Sequence, residues 1–106
     1  MIFNLKGKSA LLTGASGGIG SAIAKALHAQ GAELILNGTR LVELESLAAK
    51  LGNRALVLKG DLNETNGIND LAEEAERMSD NGIDILINNA GTVSYTHLTL
   101  PTICSV

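Results

Sequence analysis

Cysteine, proline and aromatic side chains are nearly missing from this chain. Its 106 residues include one Cys, one Pro, one Tyr, one Phe and no Trp. A single thiol excludes an internal disulfide and leaves no cysteine cluster for zinc, so a reducing cytoplasm is the expected compartment. The two aromatics, Phe3 and Tyr95, lie near the chain ends, so the core must be built from Leu, Ile, Val and Ala. Basic residues are also scarce: eight Lys and Arg stand against eleven Asp and Glu, a net charge of −3. The basic stripe of a nucleic-acid binder is therefore not expected. No apolar run approaches the ~18 residues of a membrane span, and the opening MIFNLKGKSA is too polar for a secretory signal. The length suits one domain at most.

What is present alternates. Ser9 to Thr13 (SALLT) is a short apolar run that reads as a buried strand. Ile19, Ile23, Ala26 and Leu27 then recur at helical spacing, with Gly31 as a stop signal. Glu33 to Asn37 is a second strand, and Leu41, Leu44, Leu47, Ala48 and Leu51 form a second helical stripe closed by Gly52. Ala55 to Leu58 is a third strand. Ile68, Leu71, Ala72, Ala75 and Met78 mark a third helix, closed by Gly82, and Ile83 to Asn88 is a fourth strand. Strands apolar on both faces must be covered on both faces, as in parallel sheets. Strand, helix, strand in repetition predicts an open α/β sheet with right-handed crossovers.

Glycine is the abundant exception, with 12 residues. Thr13-Gly14-Ala15-Ser16-Gly17-Gly18-Ile19-Gly20 joins the first strand to the first helix. A helix N-terminus presents unpaired N–H groups and partial positive charge, a natural pyrophosphate site. Glycines let a phosphate approach without a Cβ in the way, Ser16 adds a hydroxyl donor, and Gly20 allows close helix–strand packing. A purely structural turn is the alternative. The spacing G-x-x-x-G-x-G, through Gly14, Gly18 and Gly20, lacks the G-K-[S/T] ending of a P-loop. The second signal is Asn88-Asn89-Ala90-Gly91 at the end of strand four. In a doubly wound sheet ordered 3-2-1-4, the glycine loop and this Asn pair flank one crevice at the switch point; a plain turn is the other reading of the Asn pair.

T-G-A-S-G-G-I-G and N-N-A-G, with D-I-L-I before the latter and D-L after strand three, resemble the short-chain dehydrogenase/reductases. The opening FNLKGKSALLTGASGGIGSAIAKALHAQGAELILNGTR is most similar to the bacterial 3-oxoacyl-(acyl-carrier-protein) reductases of that family. The resemblance covers residues 1–91 and implies a Rossmann-type doubly wound sheet, of which about four strands and three helices are present. It further implies oxidoreductase chemistry with NADP(H), an acyl-carrier-protein-linked substrate and a homotetrameric parent. The implied cofactor-binding residues are Gly14, Ser16, Gly17, Gly18, Ile19, Gly20, Thr39, Arg40, Asp61, Leu62, Asn89, Ala90 and Gly91.

The end of strand two separates the two nicotinamide cofactors. An acid there binds a ribose 2′-OH, whereas an Arg accommodates a 2′-phosphate. The strand ends Leu36-Asn37-Gly38-Thr39-Arg40, without an acid, so Arg40 as a fork and Thr39 as a hydroxyl donor favour NADP(H). A solvated charge at a helix start is the alternative for Arg40. By resemblance, Asp61 and Leu62 lie beside the adenine, though Asp61 also suits a helix cap; Asn89, Ala90 and Gly91 line the ribose region. Asn88 is expected to hold the sheet, His28 to stay on the surface, and Met78 to fill core.

In the family, a Tyr with a Lys four residues on, a Ser and an Asn carry the chemistry beyond the fourth strand. None of them has a counterpart in this chain. Tyr95 is followed four residues later by Thr99, and no Lys follows Lys59; without a cation nearby a Tyr keeps its pKa of ~10 and relays protons poorly at neutral pH. No catalytic residue or metal ligand is therefore assigned. Residues 1–91 are expected to be the first half of a larger reductase and inactive alone. Residues 92–106 (TVSYTHLTLPTICSV) carry no Asp, Glu, Lys or Arg, yet hold the only Pro, Cys and Tyr. They resemble translated sequencing-adapter DNA and are expected to be foreign, an ordinary loop with a Thr-rich edge strand being the alternative. Other functional readings are a stand-alone dinucleotide-binding module, or a short-chain dehydrogenase acting on another alcohol or ketone. A methyltransferase piece would need an acid at Asn37-Gly38.

Overall fold

The structure, a computed structural model, describes residues 5–59, 67–79, 82–89 and 102–105. The elements are β1 (Ser9–Thr13), α1 (Gly18–Ala29), β2 (Glu33–Gly38), α2 (Leu41–Leu51), β3 (Ala55–Lys59), α3 (Gly67–Met78), β4 (Ile85–Asn88) and β5 (Thr102–Ser105). All strand pairs are parallel, in the order β3-β2-β1-β4-β5. The expected 3-2-1-4 arrangement is thus present, with one strand more.

The period of two along each strand sorts its side chains into two cores. Ala10 and Leu12 of β1, Leu34 and Leu36 of β2 and Ile87 of β4 pack with Ala24 of α1 and Leu44 and Leu47 of α2. Leu11, Ile35 and Leu86 point the other way, onto Leu71 and Ala75 of α3. Helices α1 and α2 therefore cover one face and α3 the other. A chain stepping from β1 to β2 to β3, then returning to the far side of β1, must change face if its crossover hand stays constant. Among the described residues neither core contains an aromatic side chain. Met78 packs against the α3-side core, as the sequence predicts.

Several expectations need correction. The buried face of α1 runs through Gly20 and Ala24, with Ile23 and Leu27 partly buried, while Ile19 is 65% exposed and Ala26 is also exposed. At Gly20 the helix start lies too close to the Gly14–Ala15 backbone for a side chain. Strand β4 begins at Ile85 and not at Ile83, because Asp84 bridges to β1: its carboxylate accepts the Ser9 N–H at 3.0 Å and its own N–H donates to the Ser9 carbonyl at 2.9 Å. β2 and β3 each run one residue further than predicted, through the pair Gly38 and Lys59. β3 is a sheet edge, half-buried and not covered on both faces, with Leu56 39% exposed. β5 lies within the segment that the sequence reading set apart from the α/β pattern. The β4 edge offers unpaired N–H and C=O groups to any extended backbone, and β5 pairs there in parallel. His28 lies at the surface, partly covered, as expected, with its ring Nε2 2.8 Å from the Asn53 carbonyl. Among the described residues no helix is long and apolar enough to cross a membrane.

Candidate cofactor crevice

β1 ends at Thr13, and the chain turns at Gly14 with φ +66°, a conformation that disfavours a side chain. It enters α1 through Gly17, an N-cap in extended conformation that gives no side-chain hydrogen bond. The first turn of α1 contains no acid. Its amides therefore keep their partial positive charge, with no carboxylate or hydroxyl to satisfy them. An ideal Cβ at Gly18 would meet nothing within 4 Å, so this glycine leaves open space in front of the helix terminus. At Gly20 the reverse holds: a Cβ would stand 2.2 Å from the Gly14 carbonyl oxygen and 2.8 Å from the Ala15 Cα. The two glycines, two residues apart, do opposite work.

Neighbouring strand ends hold the loop. The Ala15 N–H donates to the Asn37 carbonyl at 2.8 Å, and the Asn37 side-chain amide reaches the Leu58 carbonyl at 2.9 Å. On the other side, the Thr13 hydroxyl donates to Asn88 Oδ1 at 3.0 Å and accepts the Asn89 N–H at 3.2 Å. Asn89 Nδ2 donates to the Gly14 carbonyl at 3.0 Å. The glycine loop and the Asn pair thus meet at the mouth between β1 and β4, as the 3-2-1-4 order predicts. Asn88 holds the sheet, buried and paired in register with Thr13. The structure shows Asn89 bracing the loop.

At the end of β2, Thr39 and Arg40 are exposed. Arg40 lies 3.5 Å from Glu43, with 69% of its side chain exposed; an ion pair in that setting is weak and leaves the guanidinium accessible. Gly38 is buried beneath Ser16, where a Cβ would come within 2.9 Å of the Ser16 hydroxyl oxygen. Any side chain at Gly38 must move Ser16. Sequence reasoning missed the roles of Thr13, of Asn37 and of this contact. The available signal was a polar residue closing each apolar buried strand, since buried polar groups require partners.

The family described as short chain dehydrogenase matches residues 8–102. The chain belongs to this family. Its dehydrogenase relatives include Nodulation protein G of Rhizobium sp. (strain N33), 51% identical over 90 residues, covering 85% of this chain and 36% of the relative. The 3-oxoacyl-(acyl-carrier-protein) reductase FabG of Rickettsia bellii is 36% identical over 95 residues, covering 90% of this chain and 37% of that protein. Among solved structures, a 3-ketoacyl-(acyl-carrier-protein) reductase from Brucella melitensis complexed with NADH superposes with a TM-score of 0.75 at 33% identity, covering 83% of this chain and 36% of the other. The chain therefore spans little more than a third of the length of these relatives. Of the short-chain dehydrogenase residues named from the sequence, Gly14, Ser16, Gly17, Gly18, Ile19, Gly20 and Asn89 are gathered at the crevice, with Thr39 and Arg40 at the adjoining end of β2. Asp61, Leu62, Ala90 and Gly91 lie outside the described residues.

Proposed function

We propose that the chain is the N-terminal, cofactor-binding part of an NADPH-dependent reductase that converts 3-oxoacyl to 3-hydroxyacyl groups on acyl carrier protein in fatty-acid synthesis. The observation that carries this reading is the uncapped, acid-free start of α1 facing the open space at Gly18. A pyrophosphate suits that position, because first-turn amides and the helix dipole both favour an anion. When bound, a nicotinamide dinucleotide supplies the hydride for carbonyl reduction.

The phosphate-bearing form of the cofactor is favoured by the end of β2. Arg40 presents an accessible guanidinium with the Thr39 hydroxyl beside it, and Gly38 offers no acid to a ribose diol. The similarity to the Rickettsia and Brucella reductases supports the substrate class. The whole protein, on this reading, is a cytoplasmic homotetramer. Because the chain has no Tyr-x-x-x-Lys, it is proposed to bind cofactor without turning it over.

Fluorescence titration tests both parts. NADPH is expected to bind about tenfold more tightly than NADH, ~1.4 kcal/mol, and Arg40→Ala should bring the two within about twofold while leaving NADH affinity unchanged. Equal affinities in the unaltered chain would refute recognition of the 2′-phosphate. NADPH oxidation with an acetoacetyl thioester should not exceed buffer background; turnover by this chain would place the catalytic groups within it.

A further inference from the structure

Between α1 and α2, on the outer side of the glycine loop, lies a half-open groove of about 180 Å³. Its floor is apolar and buried, formed by Ala15 and Leu47. Its walls repeat one spacing: Ser21 and Lys25 on α1, Ser46 and Lys50 on α2. Residues four apart stand one above the other on a helix surface. Because β1, β2 and β3 are parallel, both connecting helices return against the strand direction and so run the same way. The two serines therefore share one end of the groove, near Ser16, and the two lysines share the other.

The described ion pairs are Arg40 with Glu43 and Arg77 with Glu74, so neither groove lysine is neutralised by one. Glu43, the carboxylate in the wall, is directed to Arg40 at 3.5 Å. Within a chain of net charge −3, the groove concentrates positive charge over an apolar floor. Ser21 donates its hydroxyl hydrogen to the Gly18 carbonyl at 3.0 Å, so Ser46, on the α2 wall with Lys50, and Ser16, at the loop end, are the groove's other hydroxyls.

We propose that this groove binds a small phosphate-type oxyanion, clamped between the Lys25 and Lys50 ammonium groups and the Ser46 hydroxyl. It adjoins the crevice at Gly18, with Ser16 bordering both. Lysines act here as adjustable point charges with three donors each, and a hydroxyl adds direction. Partial enclosure strengthens such charge-assisted bonds relative to open water.

The test is an amide NMR titration of the 106-residue chain with inorganic phosphate, chloride holding the ionic strength constant. Saturable shifts are expected at Lys25, Ser46 and Lys50. The Lys25→Gln/Lys50→Gln double variant should bind at least about fivefold more weakly, and Ser46→Ala, which keeps both charges, about twofold more weakly. Shifts confined to Gly17 through Gly20 would place phosphate at the crevice alone, overturning the groove site while leaving the cofactor reading intact. Shifts that grow linearly without saturating, or equal affinity in the double variant, would equally overturn it.

Discussion

Gly20→Ala is expected to destabilise the chain by about 3 kcal/mol and to abolish dinucleotide binding, whereas Gly18→Ala keeps the fold and loses only affinity. The new methyl at Gly20 would lie 2.2 Å from the Gly14 carbonyl oxygen, 2.8 Å from the Ala15 Cα and 3.0 Å from Asn89 Nδ2. The first two are backbone atoms and cannot rotate aside, so the glycine loop or the helix must move. Overpacking of this kind costs ~1–3 kcal/mol, sometimes more, and displacing Asn89 from Gly14 adds about 1 kcal/mol. Alanine's better helix propensity, worth ~1 kcal/mol, offsets only part of this. At Gly18 the same methyl meets no atom of the described residues within 4 Å, so stability should change by less than about 1 kcal/mol. NADPH affinity should nevertheless fall about tenfold, ~1.4 kcal/mol, as the methyl enters the space in front of the amides. Urea unfolding and NADPH titration of both variants check the contrast. A Gly20→Ala chain as stable as the original would refute the packing argument, and unaltered NADPH binding by Gly18→Ala would refute the placement of the anion.

Thr13→Val should cost about 2 kcal/mol, although it keeps the side chain's shape and raises its hydrophobicity. Thr13 is fully buried, and its hydroxyl serves Asn88 Oδ1 and the Asn89 N–H at once. Valine removes the hydrogen bond to the buried Asn88 and the one from the half-buried Asn89 N–H, each worth ~1 kcal/mol. Thr13→Ser retains the hydroxyl and deletes one methyl, worth ~0.8 kcal/mol. Serine should therefore be the milder replacement, the reverse of what hydrophobic transfer alone predicts. Denaturant midpoints would decide the matter: a valine variant at least as stable as the serine variant would sink the assignment of Thr13 as the junction between β1 and β4.

How much of this was legible beforehand follows from the kind of interaction involved. The sheet order and the meeting of glycine loop with Asn pair follow from periodicity and strand alternation, which the folded chain obeys. The face of α1 was misjudged because periodicity marks where apolar residues recur, not how closely a helix approaches its sheet. At Gly20 that approach admits no side chain, so the buried face is rotated away from Ile19. Asp84 shortened β4 by pairing with Ser9 at the start of β1, a contact between segments far apart in sequence. The contact of Ser16 with Gly38 was unreadable for the same reason. β5 matches the alternative of a Thr-rich edge strand and not the preferred reading, because an edge strand is held by backbone pairing, to which composition is a poor guide.

The junction at Thr13 also fixes an order of assembly. Register pairs Leu11 with Ile35 on one side and with Leu86 on the other, closing 24 and 75 residues of chain. Loop-closure entropy makes the longer closure costlier by about 1 kcal/mol. The β1–β2 pair can therefore form while β4 is still unattached, and the Asn89 brace on Gly14 arrives only with the second closure. Pulsed hydrogen exchange during refolding should find the amides of Leu34 to Leu36 protected before that of Asn89; simultaneous protection would contradict it. A chain interrupted before β4 would carry the whole T-G-A-S-G-G-I-G sequence and still have no crevice.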